Sequence, residues 1–292
     1  MPWPTFQNRR RFAKLSGAIP PSPGGALLDH LPYRWIPITR ANHPDRLHLS
    51  PVIAESIAIT AATEEPAVLV REQHRYLLLG PQDRRLPRIA EAAQAAEADG
   101  WPAFLRIGGG SAVLLDEGTL SFGAARPCRD LTTLVRNFHE LAAGAIAALR
   151  RLGLPAEFGA APGSYCEGPY DIVVRGQKVA GVAQAIRQGF TLVSGMLVVH
   201  QDPVAITNRI QRLYRDAGST QQLSASAVTS LDRLLGRVPS TDELVAALAA
   251  GYAETLPLTP DDVRPHEWAR AEALMPQRRF PPPRAPQGGG AG

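Results

Sequence analysis

Lysine and cysteine are both rare in this chain, with two of each in 292 residues, although Lys and Arg together number 31. One of each falls in a single segment, Gly163-Ser-Tyr-Cys-Glu-Gly-Pro-Tyr-Asp-Ile-Val-Val-Arg-Gly-Gln-Lys-Val-Ala-Gly181, which places Cys166 twelve residues before Lys178. A thiol reacts as its thiolate, and a cation nearby lowers the pKa that controls it. An ammonium is a compact point charge with three rotatable donors, whereas a guanidinium is a broad planar fork. A site that needs one narrow cation beside a thiolate or an acyl carbonyl would therefore keep a lysine. Cys166 lies among Gly, Ser and Pro in a loop entering a strand, a context that suits a nucleophile. Two plainer readings stay open: a lysine surviving by chance on a hairpin, and a cysteine that is a spectator. Cys128, in Ala125-Arg-Pro-Cys-Arg-Asp130, also reads as a loop residue but has no lysine nearby. Between Gly108 and Ala183 the one histidine is His139, inside a helical pattern, so no Cys-His dyad is evident locally.

A second constellation is Arg106-Ile-Gly-Gly-Gly-Ser-Ala-Val-Leu-Leu-Asp-Glu-Gly118. Gly108, Gly109 and Gly110 remove three successive Cβ atoms after a strand, so backbone can approach a ligand and turn its N–H groups toward an oxyanion. The spacing fits neither a dinucleotide fingerprint nor a phosphate-binding P-loop. A glycine bulge where strands cross is the alternative; Arg106 before it and Asp116 after it favour a site. The third segment, Leu79-Gly-Pro-Gln-Asp-Arg-Arg-Leu-Pro87, joins a strand to a helix and by itself is a loop.

The elements that must position these residues are short. Apolar runs at 67–71, 76–79, 104–107, 112–115 and 120–124 read as strands between Gly, Pro and charged turns. After Cys166 come three more, at 170–174, 178–186 and 190–200, joined by tight turns as an antiparallel set. Helical periodicity marks 86–99, one long helix over 131–152, and shorter ones at 207–217 and 226–235. Ser240-Thr-Asp-Glu243 is a capping box opening a helix to about residue 256. The expected fold is α+β, a mixed, mostly antiparallel sheet flanked by helices. Residues 1–45 read as an irregular N-terminal arm beginning with a basic leader, 46–257 as the catalytic domain, and 258–292 as a C-terminal extension whose Pro/Gly tail cannot bury enough surface to order itself.

Composition narrows the function classes. Apolar residues make up 45% of the chain, enough for a substantial core. No run approaches the ~18 apolar residues of a membrane span, and no secretory signal opens the chain, so a soluble, cytoplasmic protein is expected. Two distant cysteines make neither a disulfide framework nor a metal site. The net charge is +4, with much of the excess at the two ends, and no basic stripe with interleaved aromatics suggests nucleic-acid binding. A modest positive field suits an acidic protein partner.

From about residue 50 to 200, these segments in this order resemble the lipoate and octanoate attachment family, which shares its catalytic fold with biotin protein ligases. The resemblance rests on Leu79-Gly80 with Gln82 and Asp83 in a pocket loop. It rests equally on Arg106, Gly108, Gly109, Gly110, Ala112, Val113, Asp116, Gly118 and Leu120 in the loop over the ligand. Gly176, Lys178, Gly181, Ala183 and Gln184 supply the Gly-x-Lys-x-x-Gly then Ala-Gln pattern of the lysine that contacts the acyl carboxyl. The segment 164–171 and the loop 79–87 are similar to the branch that moves octanoate from the H protein of glycine cleavage to lipoyl domains of 2-oxoacid dehydrogenases through a cysteine. The ligase branch's His-His-Gly-Thr is replaced by Leu192-Val-Ser-Gly-Met-Leu197, and Ile107 stands where a polar residue is usual.

The resemblance implies that Cys166 and Lys178 are catalytic, and that Arg106, the three glycines, Ala112, Val113, Asp116, Asp171, Gly181 and Gln184 bind the acyl substrate. Transfer would need no cofactor; ATP and Mg would enter only if the protein were an ATP-dependent lipoate ligase. The glycine amides would stabilise the oxyanion, Asp171 or a water would move protons, and Leu77, Leu79, Val113 and Val182 are candidates for the acyl tunnel. Beside the ligase, the alternatives are a non-catalytic protein that docks lipoyl domains and a biotin ligase.

Overall fold

The computed structural model describes residues 31–128, 130–187 and 189–282. The basic leader expected over residues 1–25 and nearly all of the Pro/Gly tail lie outside them.

The main sheet has eight strands. Strands β1 (Tyr33–Ile38) and β2 (Ala67–Glu72) are parallel, and β2 then pairs antiparallel with β6 (Thr119–Pro127). Onward from β6 come β10 (Phe190–Val198), β9 (Gln177–Arg187), β8 (Asp171–Val174) and β7 (Ala156–Gly159), all antiparallel. A short β11 (Leu258–Pro260) lies parallel to β1 at the other edge. Central strands are covered on both faces, which is why Ala67 to Val70 of β2 read as an apolar run rather than an alternation, with Arg71 directly after it. Val68 and Val70 join one core beneath helices α3 (Leu134–Leu141), α4 (Ala143–Arg151) and α7 (Thr241–Ala253). Ala67 and Leu69 join another beneath α1 (Ile53–Ala61) and α8 (Pro265–Arg278).

A second sheet of four strands carries the loops around the candidate site. It orders β12 (Arg279–Phe280), β4 (Ala103–Leu105), β3 (Tyr76–Leu79) and β5 (Val113–Leu115). Helices α2 (Ile89–Ala98) and α5 (Pro203–Asp216) pack on it, and Met196 and Val198 of β10 complete the core between the sheets. The expected α+β class with a mostly antiparallel sheet is what the chain adopts.

The hairpin β8–β9 turns through Arg175 (φ +52°) and Gly176 (φ +78°), two left-handed residues as a type I′ turn requires. Only half of the expected capping box forms: Ser240 Oγ accepts the N–H of Glu243, while the Glu243 carboxylate turns to Arg237 instead of back to the cap.

Several boundaries differ from the sequence reading. The helix expected over 131–152 is two, α3 and α4, broken at Ala142. The break lets Gly144 of α4 meet Tyr252 of α7, where a Cβ would collide with the ring. Of the helix expected over 226–235 only α6 (Leu231–Leu235) is α-helical, and its C-cap Gly236 is left-handed. The arm 1–45 is not irregular throughout, because β1 is a buried strand of the main sheet. The C-terminal extension is likewise built into the fold. Arg34 of β1, 4% exposed, reaches Asp261 Oδ2 at 2.5 Å and Glu267 Oε1 at 2.7 Å, so β11 and α8 are sewn to the strand beside them. No helix among the described residues is long and apolar enough to cross a membrane.

Candidate active site

Cys166 lies in the connection between β7 and β8 and has φ +47°, a left-handed conformation that strains a residue with a side chain. Lys178, at the start of β9, holds that conformation. Its Nζ donates to the carbonyls of Tyr165 (3.0 Å) and Cys166 (2.7 Å) and lies 2.9 Å from Asp171 Oδ2. Both charged side chains are 1% exposed. Asp171 also accepts the N–H groups of Gly168 (2.9 Å) and Val182 (3.1 Å), so the carboxylate ties the lysine and the end of the Cys166 loop to strand β9. Gly181 leaves room for this: a Cβ there would lie 3.2 Å from Lys178 Cε and 3.3 Å from Nζ. All three ammonium protons thus have acceptors within the Cys166 loop.

The groups that touch the sulfur come from the glycine loop, 55 and 60 positions earlier in the chain. Arg106 Nη2 is 3.0 Å from Cys166 Sγ and also donates to Ser111 O at 2.6 Å, while the Ser111 N–H points at Sγ from 3.3 Å. Gly110, at φ +95°, packs against both; a Cβ would stand 2.8 Å from Sγ and collide with the guanidinium. Burial alone would push the Cys166 thiol up. The charges of Arg106 and then Lys178, with the Ser111 N–H, outweigh it and set the thiol below its ordinary value.

The loop after β3 supports the glycine loop from behind. Gly80 abuts the carbonyl of Gly110 so closely that no Cβ would fit. The Gly80 N–H donates to Asp83 Oδ2 (2.7 Å), the Tyr214 hydroxyl donates to Asp83 Oδ1 (3.1 Å), and the Ala112 N–H donates to that hydroxyl (2.9 Å). Burial pushes the Asp83 carboxyl up despite these donors.

An apolar cavity opens beside the sulfur, about 870 Å³ including its open mouth. Of the expected site residues, Cys166, Lys178, Arg106, Gly108, Val113 and Gly181 line it. Others do different work. Gly80, Asp83, Gly110 and Ala112 build the loop, and Asp171 anchors Lys178. The Gly109 N–H is engaged by Gln184 O (3.1 Å), so the amide presented to the sulfur is that of Ser111. Asp116 closes the β5–β6 turn by accepting the Gly118 N–H (2.9 Å). Gln184 sits between Ala183 and Ala185, which face the cavity, so strand alternation turns its side chain to Thr191 Oγ1 on the other face (3.0 Å). Gln82 is exposed.

The tunnel residues need correcting for the same reason of strand phase. Val113 and Val182 line the cavity, but Leu77 and Leu79 point away and Leu78 lines it, with Leu105, Leu115, Leu192 and Met196. Sequence reasoning also missed Tyr214 and Ser111, which carry no local signal, and Arg71, whose position directly after the apolar run of β2 was a signal. Among the described residues no group of His, Cys, Asp and Glu is arranged to hold a metal ion.

The two-sheet α+β fold with a thiol at the wall of an apolar cavity is one that comparison with known proteins assigns to a family. Residues 51–253 match the lipoyl protein ligase A/B catalytic domain, and the chain belongs to that family. It is 32% identical over 199 residues to an octanoyl-[GcvH]:protein N-octanoyltransferase of Geobacillus kaustophilus, a match covering 65% of this chain and 70% of that protein. A protein of the same name from Anoxybacillus flavithermus is 28% identical over 224 residues, covering 73% and 80%. Among solved structures, the bipartite lipoate protein ligase of Thermoplasma acidophilum, studied with its E2 lipoyl domain, superposes with a TM-score of 0.61 at 22% identity, over 84% of this chain and 92% of that one. That likeness establishes the fold.

Proposed function

We propose that the protein is an octanoyltransferase of protein lipoylation, taking an octanoyl or lipoyl group from the acyl-lysine of a donor such as glycine cleavage H protein and passing it to the lysine of a lipoyl domain. The observation that carries this reading is the approach of Arg106 Nη2 (3.0 Å) and the Ser111 N–H (3.3 Å) to a thiol at the wall of an apolar cavity. The names of its relatives support the octanoyl group and the H-protein donor.

In the first half-reaction the Cys166 thiolate attacks the donor's amide carbonyl, forming a C–S bond. Negative charge gathers on the former carbonyl oxygen, where the Ser111 N–H and the Arg106 guanidinium stand ready; one such donor contributes roughly 3 kcal/mol. The C–N bond then breaks, and the donor lysine leaves as an amine carrying the proton the thiol gave up. In the second half an acceptor lysine attacks the thioester, forming the new amide, losing a proton and expelling the thiolate. Amide to thioester runs uphill and thioester to amide runs down, so the two halves together are nearly balanced and call for no nucleotide. Lys178 and Asp171 act as positioning residues, because the ammonium is spent on the carbonyls of Tyr165 and Cys166 and on the Asp171 carboxylate.

Intact-mass spectrometry after incubation with octanoylated H protein tests this reading. One octanoyl group, removable by hydroxylamine and absent in Cys166→Ala, is expected. An unmodified protein that instead lipoylates an acceptor once ATP and free lipoate are added would place it among the ligases.

A further inference from the structure

One charged side chain in the cavity wall has no part in the chemistry above. Arg71, on β2, is 6% exposed, and its Nε and Nη1 are buried without a hydrogen-bond partner. A guanidinium stays protonated at any working pH, so this is a permanent buried charge with unmatched donors. Such a group is costly to keep unless something pairs with it. The Tyr76 hydroxyl interacts with the guanidinium and itself donates to Gln73, but it is a neutral phenol, kept so all the more by burial, and supplies no counter-charge. The carboxylate nearest to hand in the cavity wall, Glu55, is already engaged by Arg278 (2.8 Å).

Its place in the sheet sets it at the opposite end of a row of paired residues from the Lys178 side of the site. Arg71 pairs with Ser121 on β6, Ser121 with Met196 on β10, and Met196 with Gly181 on β9, which lies against the Lys178 ammonium. Three strand spacings, about 14 Å, therefore separate the backbone of Arg71 from that of Gly181, which lies at the end of the cavity where Lys178 and Cys166 sit. The wall here includes Met196, Val113, Leu78 and Leu115, with Ser121 beside Arg71 as the polar member of the row. An acyl chain attached at Cys166 and lying along this row would run over apolar side chains and meet a guanidinium.

We propose that Arg71 is the specificity-determining residue at the distal end of the acyl cavity, limiting it to chains of medium length and accepting, beyond that length, only a chain whose terminus can receive hydrogen bonds. The inference rests on the reading of this cavity as the acyl site. Further methylenes would have to pack against unmatched donors, whereas a terminal carboxylate would pair with them.

The test is calorimetric binding of N-acyl-lysine amides of six, eight, ten and twelve carbons, and of an eight-carbon chain ending in a carboxylate, to the full chain and to Arg71→Met. The unmodified protein should fall off between eight and ten carbons and should bind the carboxylate-ended chain better than the ten-carbon one. In Arg71→Met the preference for eight over ten carbons should shrink by about tenfold, the worth of two newly buried methylenes, and the carboxylate-ended chain should be lost. Met fills similar space and removes an unpaired charge, so its melting temperature should hold or rise. If that variant does not fold, the two long probes on the unmodified protein decide the matter. Eight-carbon binding with the same length profile in both proteins, or a ten-carbon chain bound better than the carboxylate-ended one, overturns the role of Arg71 and leaves the octanoyl reading intact. Failure of every chain to bind overturns the acyl cavity itself and this inference with it.

Discussion

Replacing Lys178 by methionine should unfold the site before it disables the chemistry. The substitution keeps the length of the side chain and removes the ammonium, leaving Asp171 buried at 1% exposure with the Gly168 and Val182 amides and no counter-charge. Removing one partner of a buried ion pair costs about 3–5 kcal/mol, most of it the stranded charge. The carbonyls of Tyr165 and Cys166 lose their donor in the same step. At roughly 2–4 °C per kcal/mol for a domain of comparable size, the melting temperature should fall by about 6–20 °C. A double-mutant cycle separates the stranded charge from the lost packing. Adding Asp171→Asn to Lys178→Met should restore a good part of the loss, giving a coupling energy of at least about 1 kcal/mol, because the asparagine needs no cation. Lys178→Arg should not rescue, since Gly181 is fitted to a slender aliphatic stem and a planar fork is broader. Urea unfolding of the four proteins supplies the free energies, and alkylation of Cys166 under native conditions reports whether its loop has kept its shape. A Lys178→Met protein within about 1 kcal/mol of the parent, or effects of the two substitutions that simply add, would refute the account of this pair as the anchor of the thiol.

Two further outcomes follow from the same geometry. Because the charge of Arg106 is the largest influence lowering the Cys166 pKa against burial, the thiolate forms at lower pH than the ~8.5 of an ordinary cysteine, and reaction with iodoacetamide should reach half its maximum below that pH. In Arg106→Met the midpoint should rise and the rate at neutral pH should drop; an unmoved midpoint would mean that the guanidinium does not govern the sulfur. Truncation after Pro257 should fail as a boundary, since it leaves Arg34 buried without Asp261 and Glu267, at a cost of at least about 3 kcal/mol, and uncovers the apolar face under α8. A truncated chain that melts like the parent would show that β11 and α8 are dispensable.

Much of the site could be read from residue types and spacing. Cys166, Lys178, Arg106 and Gly108 do line one cavity, and the hairpin that carries Lys178 was legible from the turn Arg175-Gly176-Gln177 between two strand patterns. Their division of labour was not legible. Which cation touches the sulfur depends on a contact between residues 60 apart, and only the folded loop shows the lysine turned inward and the arginine turned to the thiol. Strand phase failed at Tyr76-Leu-Leu-Leu79 because four consecutive apolar residues contain no polar one to mark the solvent side, and here neither side is solvent. The strand β1 was hidden in an apparent arm because Arg34 and Pro37 interrupt it. The partners that make Arg34 tolerable there are 227 and 233 residues away.

Those interruptions share a cause that bears on Arg71. Arg34, Arg71 and Lys178 all look like surface residues in the sequence, and all three are at least nine-tenths buried in the fold. Arg34 is matched by Asp261 and Glu267, and Lys178 by Asp171 and two carbonyls, so this protein supplies acceptors where it buries a charge for its own architecture. Arg71 departs from that practice in the wall of the cavity proposed to receive the acyl chain. A fold that matched two buried cations so fully and left donors of the third unmatched in a cavity wall is the ground for proposing that what enters the cavity supplies the acceptor, and for expecting chain length and chain terminus, rather than stability, to be the quantities Arg71 controls.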